Sequence, residues 1–363
     1  MDIYKLDYYR EGKIKMEKLL KLFFFTISFV TVFIFSPLIK DWFINITNVN
    51  QFQRVDEVQI PLTEHTDTKS AASFSVIEYI GKSEQDVMKV YGKPSRKVPS
   101  QYDYDWLIYD KDPANYIQFG ILNGSVVTVY VAGNKVDVSP FLIGSHYEES
   151  IDNVNLHEKL SFSLLDNEYT FKLSTTDLHE RPLVAVNDRY AQLYFDRFTG
   201  SLLGVRFLSP ETLVKQRPYE LVYSGKLISS KPLNEAKQAI IDREEEKQIF
   251  NLTNVYRKRM NLSTLKWNKE AAKVALGHSK DMVVNNYFDH HSSLYGSLAD
   301  RLNDADVPYR LAGENISANY VDGIASVYGW INSKGHRVNM YKKDYTTLGV
   351  GAYKKYYTQN FIK

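Results

Sequence analysis

Apolar and polar positions divide the chain into stretches of different period. The longest apolar run comes early, from Leu22 to Ile39, without one charged residue. About 18 such residues, rising ~1.5 Å each, are just enough to cross a bilayer. Lys13, Lys15, Lys18 and Lys21 precede the run and Trp42 follows it. Basic residues on the cytoplasmic side and an interfacial aromatic predict an uncleaved anchor with residues 1–21 inside the cell and everything later outside. A cleaved signal would have a shorter apolar core and a small-residue site after it. Residues 40–73 are polar and read as a tether.

From residue 74 the period shortens. Ser83 caps an amphipathic helix over Glu84 to Tyr91, closed by Gly92 and Pro94. Alternation then marks strands at Trp106–Tyr109, Tyr116–Ile121 and Val126–Val131, with Asn123-Gly124 as the hairpin turn between the last two. A second Ile-Gly start, Ile143-Gly144, leads into another short helix. Strand-like runs follow at Tyr169–Leu173, Leu183–Val186, Tyr190–Phe195 and Leu202–Phe207, with a turn at Phe198-Thr199-Gly200. Two Ile-Gly-headed helix-plus-hairpin units predict an internally duplicated α+β domain over residues 74–228. His146, His157 and His179 stand apart from other chemistry and read as surface or core histidines.

A linker and helix start occupy residues 229–243. Asn234 caps a helix running to Met260, and the charged beginning of that helix, through Glu244-Glu245-Glu246, reads as a solvated face. Further helical patterns cover Ala271–Asn286, Gly296–Asp304 and Ile324–Ser333. Strands are predicted at Thr347–Tyr353 and Tyr356–Ile362.

Composition narrows the function classes. The formal net charge of +2 gives no bulk electrostatic case for nucleic acid. The absence of cysteine excludes disulfides, thiolate metal sites and cysteine nucleophiles. The chemistry concentrates near the C-terminus, in Asp289-His290-His291-Ser292-Ser293, Gly313-Glu314-Asn315-Ile316, Trp330-Ile331-Asn332-Ser333 and Gly335-His336-Arg337. Ser292 and Ser293 suit turn or capping roles, His278 a packed helix position, and Trp330 the core. Arg337 and Asn339 read as braces of a loop.

These motifs, with Asn254-Val255-Tyr256-Arg257, Leu265-Lys266-Trp267-Asn268, Leu348-Gly349-Val350-Gly351 and Tyr357-Thr358-Gln359, form an ordered set. The set resembles the CAP superfamily (cysteine-rich secretory proteins, antigen 5, pathogenesis-related 1) in its bacterial form. The preceding region resembles the CAP-associated N-terminal domain of membrane-anchored members. The resemblance implies an α-β-α sandwich over residues 244–363 behind a separate α+β accessory domain. It also implies a cleft that in animal and plant members carries two histidines and two glutamates able to hold a divalent metal. His290 matches the first histidine and Glu314 the first glutamate. Ser333 stands where the second glutamate would be, and Tyr356 where the second histidine would be. His336 could restore a third ligand, and His290, Glu314 and His336 together would suit a divalent metal such as zinc or another of the first row. Two functions follow as expectations. One is a membrane-anchored extracellular module whose cleft (His290, Glu314, Ser333, His336, Tyr356) binds a cell-envelope glycan, lipid, peptide or protein. The other is a metal-dependent hydrolase or protease with Glu314 and His290 as its catalytic residues.

Overall fold

The computed structural model describes residues 75–152 and 154–363. The predicted anchor at 22–39 and the tether at 40–73 lie outside the described residues. Among those described, no helix is long and apolar enough to cross a membrane.

The first half of the described chain is built on one antiparallel sheet. Its strands are β1 (Arg96–Pro99), β2 (Asp105–Tyr109), β3 (Ile117–Leu122), β4 (Ser125–Val131), β7 (Leu183–Val186), β8 (Arg189–Phe195) and β9 (Leu202–Leu208), in the order β1-β2-β3-β4-β9-β8-β7. Helices α1 (Glu84–Tyr91) and α2 (Tyr147–Ile151) precede the two halves of the sheet. A small second sheet of β5 (Lys159–Leu164), β6 (Asn167–Lys172) and β10 (Glu220–Ser224), with α3 (Thr175–Glu180) and α4 (Pro210–Gln216), is attached to the second half.

The duplication is visible bond by bond. Gly81 N donates to Val126 O and Val126 N to Lys82 O; Gly144 N donates to Leu202 O and Leu202 N to Ser145 O. One step further on, Glu84 N donates to Gly124 O and Tyr147 N to Gly200 O. Gly81 and Gly144 sit at φ +91° and +102°, a backbone state that L side chains rarely adopt. This explains why both units open on Ile-Gly. Each hairpin also carries a register shift at the equivalent place, Gly120/Ile121 and Tyr194/Phe195. β4 and β9 pair antiparallel at the middle of the sheet, so the two halves are related by a pseudo-two-fold between them.

The second half of the chain is the predicted sandwich. Its sheet has the order β11 (Lys266–Trp267), β13 (Thr347–Tyr353), β14 (Tyr356–Ile362) and β12 (Ala312–Ala318). Helix α6 (Lys269–Val284) covers one face, followed by α7 (Leu298–Asp304). Helices α5 (Glu235–Arg259) and α8 (Gly323–Ile331) cover the other, and α9 (Lys334–Tyr341) follows α8. A Cβ on Gly349 or Gly351 would come within 2.2 Å of Ala272 N or 2.0 Å of Leu276 N. The two glycines therefore let the α6 backbone lie against β13.

Gly313–Ile316 belongs to strand β12, paired residue by residue with β14 from Ala312↔Ile362 to Ala318↔Tyr356. The Gly-His-Arg segment, read as a loop, is helix α9. The charged start of α5, read as solvated, also needs correction. Asp242 and Glu245 are both buried: Asp242 accepts from Lys354 N at the turn between β13 and β14, and Glu245 lies between Tyr357 of β14 and the accessory domain. Arg96 pairs with Glu244 at 3.1 Å, and Gln101 donates to Glu245 at 3.0 Å.

The two halves share one apolar core. Trp106, Tyr130 and Tyr194 of the accessory sheet pack with Leu252, Val255 and Tyr256 of α5 and with Val327, Tyr328 and Ile331 of α8. The Tyr194 and Tyr328 rings stack 4.0 Å apart, and a Cβ on Gly204 would collide with the Tyr328 hydroxyl. Arg206, fully buried on β9, meets Asp322 at 2.8 Å. Asp322 in turn caps α8 through Ala325 N.

Glu245 gives this interface a pH signature. Burial, helped by nearby Asp322, pushes its carboxyl up to about 8, against hydrogen bonds from Tyr357 and Gln101. Between the ordinary glutamate value of ~4.3 and that raised value, the folded protein keeps a proton that the unfolded chain has released. This contribution to stability is complete at acid pH and falls by about 1.4 kcal/mol per unit as pH rises through the window. Urea denaturation of Glu245→Gln should show a shallower decline between pH 5 and 8 than wild type. A parallel pair of profiles would contradict the assignment.

Candidate functional site

The site begins with Glu314, buried near the start of β12. Both of its carboxylate oxygens are engaged. His290 Nδ1 lies 2.9 Å from Oε1, and Arg301 Nη2 donates to Oε2 at 2.5 Å. Asn360, opposite Glu314 on β14, reaches Oε2 at 3.2 Å when its amide is turned to let its oxygen accept from Ala275 N. Asn339 of α9 donates to the Glu314 carbonyl and to Asn315 Oδ1. Arg301 of α7, 6% exposed, also donates to the carbonyls of His290 and Gly296. It thus fixes the carboxylate and the loop that presents His290 together.

That loop folds on itself. Ser292 N and Gly296 N exchange bonds with each other's carbonyls, while Ser292 Oγ accepts from Leu294 N and Tyr295 N. Ser292, fully buried, therefore serves the turn. His291 is exposed, its amide held by the Asp289 carboxylate. Behind the loop, buried His278 places Nε2 3.0 Å from Asp289 O and 3.9 Å from Glu314 Oε1.

His336, on α9, brings its ring centroid to 6.5 Å from that of His290. Its Nδ1 lies 2.8 Å from Ser333 Oγ. The two histidines are pushed in opposite directions. The hydrogen bond to Glu314 raises His290, whereas burial, followed by neighbouring His290, lowers His336. Ser333, His336 and Tyr356 line a groove of about 410 Å³ with Phe288, Tyr320 and Trp330. Phe288 and Tyr356 meet edge to face at 6.3 Å. All five predicted cleft residues thus fall in one neighbourhood. His290 and Glu314 form a bonded pair beside the groove that the other three line.

The arrangement does not fit the expected zinc site. Arg301 puts a fixed positive charge against Glu314, and His336 turns Nδ1 to Ser333. Among the described residues no three His, Asp or Glu side chains are grouped to hold a metal ion. The predicted trio of His290, Glu314 and His336 is therefore not assembled as a ligand set.

Arg301 escaped the sequence reading. The available signal was its place beside Leu298 and Leu302 on the apolar stripe of α7, where a lone arginine needs a buried partner. Arg337 donates to the Ile331 carbonyl, as a brace would, and also reaches across to the accessory domain. It bonds Asp196 of the accessory domain at 2.8 Å and lies between the rings of Phe198 and Tyr341, 4.9 and 4.8 Å from their centroids.

Comparison with known proteins agrees with this architecture. Residues 80–219 match the CAP-associated N-terminal family, and residues 250–362 match the cysteine-rich secretory protein (CAP) family. The membrane protein YlbC of Bacillus subtilis is 46% identical over 288 residues, covering 79% of this chain and 83% of that protein. The crystal structure of an extracellular protein containing an SCP domain from Bacillus anthracis is 46% identical. It covers 84% of this chain and 100% of its own, with a TM-score of 0.79. A cysteine-rich secretory protein from Staphylococcus aureus is 26% identical, covering 80% of this chain and 95% of its own at a TM-score of 0.69. The chain belongs to the CAP family, as a bacterial member of the extracellular type that carries the CAP-associated N-terminal domain.

Proposed function

We propose that the protein is anchored in the cell membrane by residues 22–39, with its N-terminus cytoplasmic, and that it holds its cleft outside the cell to bind a cell-envelope component. The observation that carries the reading is the groove lined by Phe288, Tyr320, Trp330 and Tyr356 with Ser333 and His336 among them. Aromatic walls with a few convergent polar groups suit a ligand with apolar faces and a hydroxylated edge. A carbohydrate ring of the envelope glycan has that chemistry. The engagement of both Glu314 oxygens favours binding over metal-dependent hydrolysis, because the carboxylate is committed to Arg301 and His290.

Calorimetric titration of residues 75–363 with soluble peptidoglycan fragments tests the reading. Tyr356→Ala is expected to weaken binding by about two- to twelvefold, since one stacked aromatic contributes ~0.5–1.5 kcal/mol beyond the area it buries. Retained affinity in Tyr356→Ala, or no heat with any fragment, would remove the glycan reading. Titration with lipid vesicles and peptides covers the other envelope ligands.

A further inference from the structure

Ser333 occupies the position that caps α9, yet its side chain makes no capping bond to the helix. Elsewhere in the chain, Ser83, Ser174, Ser209 and Ser297 stand at the same position, and each accepts from a first-turn amide. The Ser333 hydroxyl instead meets His336 Nδ1 at 2.8 Å, and both side chains line the aromatic groove. The amides of Lys334, Gly335 and His336 open the helix beside it, without a backbone acceptor among the described residues. A half-buried hydroxyl, a nitrogen base within hydrogen-bond reach, free backbone donors and a ligand-sized groove are the parts that acyl transfer requires.

We propose that Ser333 and His336 are a nucleophile and its general base, acting on an O-acyl ester carried by the ligand of this groove. In the first step Ser333 Oγ attacks the ester carbonyl carbon while His336 Nδ1 takes the hydroxyl proton. The bond from that carbon to the alkoxy oxygen breaks, and the alcohol leaves with the proton. In the second step water attacks the acyl-serine and gives a proton to His336. The carbon–Oγ bond breaks, Ser333 recovers the proton, and a carboxylic acid departs. The carbonyl oxygen, negative in each tetrahedral intermediate, is served by the first-turn amides of α9. His290 stands across the cleft at 6.5 Å, ring to ring, held by Glu314.

The inference uses the groove that the glycan reading also uses, but its test needs no glycan. A fluorophosphonate probe is incubated with the folded chain at neutral pH, and the adduct is located by peptide mass spectrometry. The expected result is an adduct on Ser333 and none at that position in Ser333→Ala. In His336→Gln the labelling rate should be lower by about a hundredfold, the lower bound usual for a lost general base. Hydrolysis of p-nitrophenyl acetate should fall in step. Thermal midpoints of both variants, read by circular dichroism, show whether they fold; if His336→Gln does not, the adduct on wild type decides. No adduct on folded wild-type Ser333, or an unchanged rate in folded His336→Gln, would reduce the contact to a brace at the helix end. Labelling without any glycan heat would overturn the binding reading alone.

Discussion

Asp322→Ala is expected to destabilise the protein by about 3–5 kcal/mol, the usual consequence of leaving a buried charge without its partner. Arg206 is fully buried, bonded to Gln216 as well as to Asp322, and lies near the rings of Tyr130 and Tyr194. The loss of the Asp322 cap on α8 adds roughly 1 kcal/mol. Urea denaturation of residues 75–363 measures the change. Replacing both partners with apolar residues, as in Arg206→Met with Asp322→Leu, should recover most of the ion-pair part, since neither charge is then stranded. A double variant as unstable as Asp322→Ala would show that the pair does more than satisfy itself.

Arg301→Ala is expected to have an effect of similar size, again about 3–5 kcal/mol, for a different reason. It strands the buried Glu314 carboxylate and removes the donor to the His290 and Gly296 carbonyls. The His290 loop should loosen, which faster amide exchange at Ser292 and Gly296 would report. His290 should also titrate higher, because the guanidinium opposes its protonation. Proton NMR of the His290 ring reads that shift. An unchanged titration would mean that Glu314 alone sets the behaviour of His290.

Much of the scaffold was legible because its signals are local. Ile-Gly starts, Asn-Gly turns and serine caps act within a few residues, and the duplicated hairpins stand where those signals place them. What escaped depends on partners far along the chain. β12 places Glu314 and Asn315 inward, so it lacks the apolar alternation of a strand; its polar residues are satisfied by Arg301, Gln359 and Asn339. α9 exposes Val338 and turns Arg337 and Asn339 towards the protein, which inverts the amphipathic pattern of a helix. The acidic start of α5 looks solvated until the accessory domain and the β13–β14 hairpin, each more than a hundred residues away along the chain, cover it. The motif residues could be found by resemblance, but the bonds between them could not. Glu314 looks like a metal ligand in a sequence, and only the position of Arg301 shows that the carboxylate is already neutralised.

The Arg337 clamp sets the unit of inheritance. It joins the turn at Asp196–Phe198 to the helix that carries His336, so drift on one side of the seam constrains drift on the other. A sandwich transplanted behind a foreign accessory sheet would keep its cleft residues and lose the grip that orients them. Lineages that shuffle such modules should therefore exchange the two domains together, with Asp196, Phe198 and Arg337 travelling as one character.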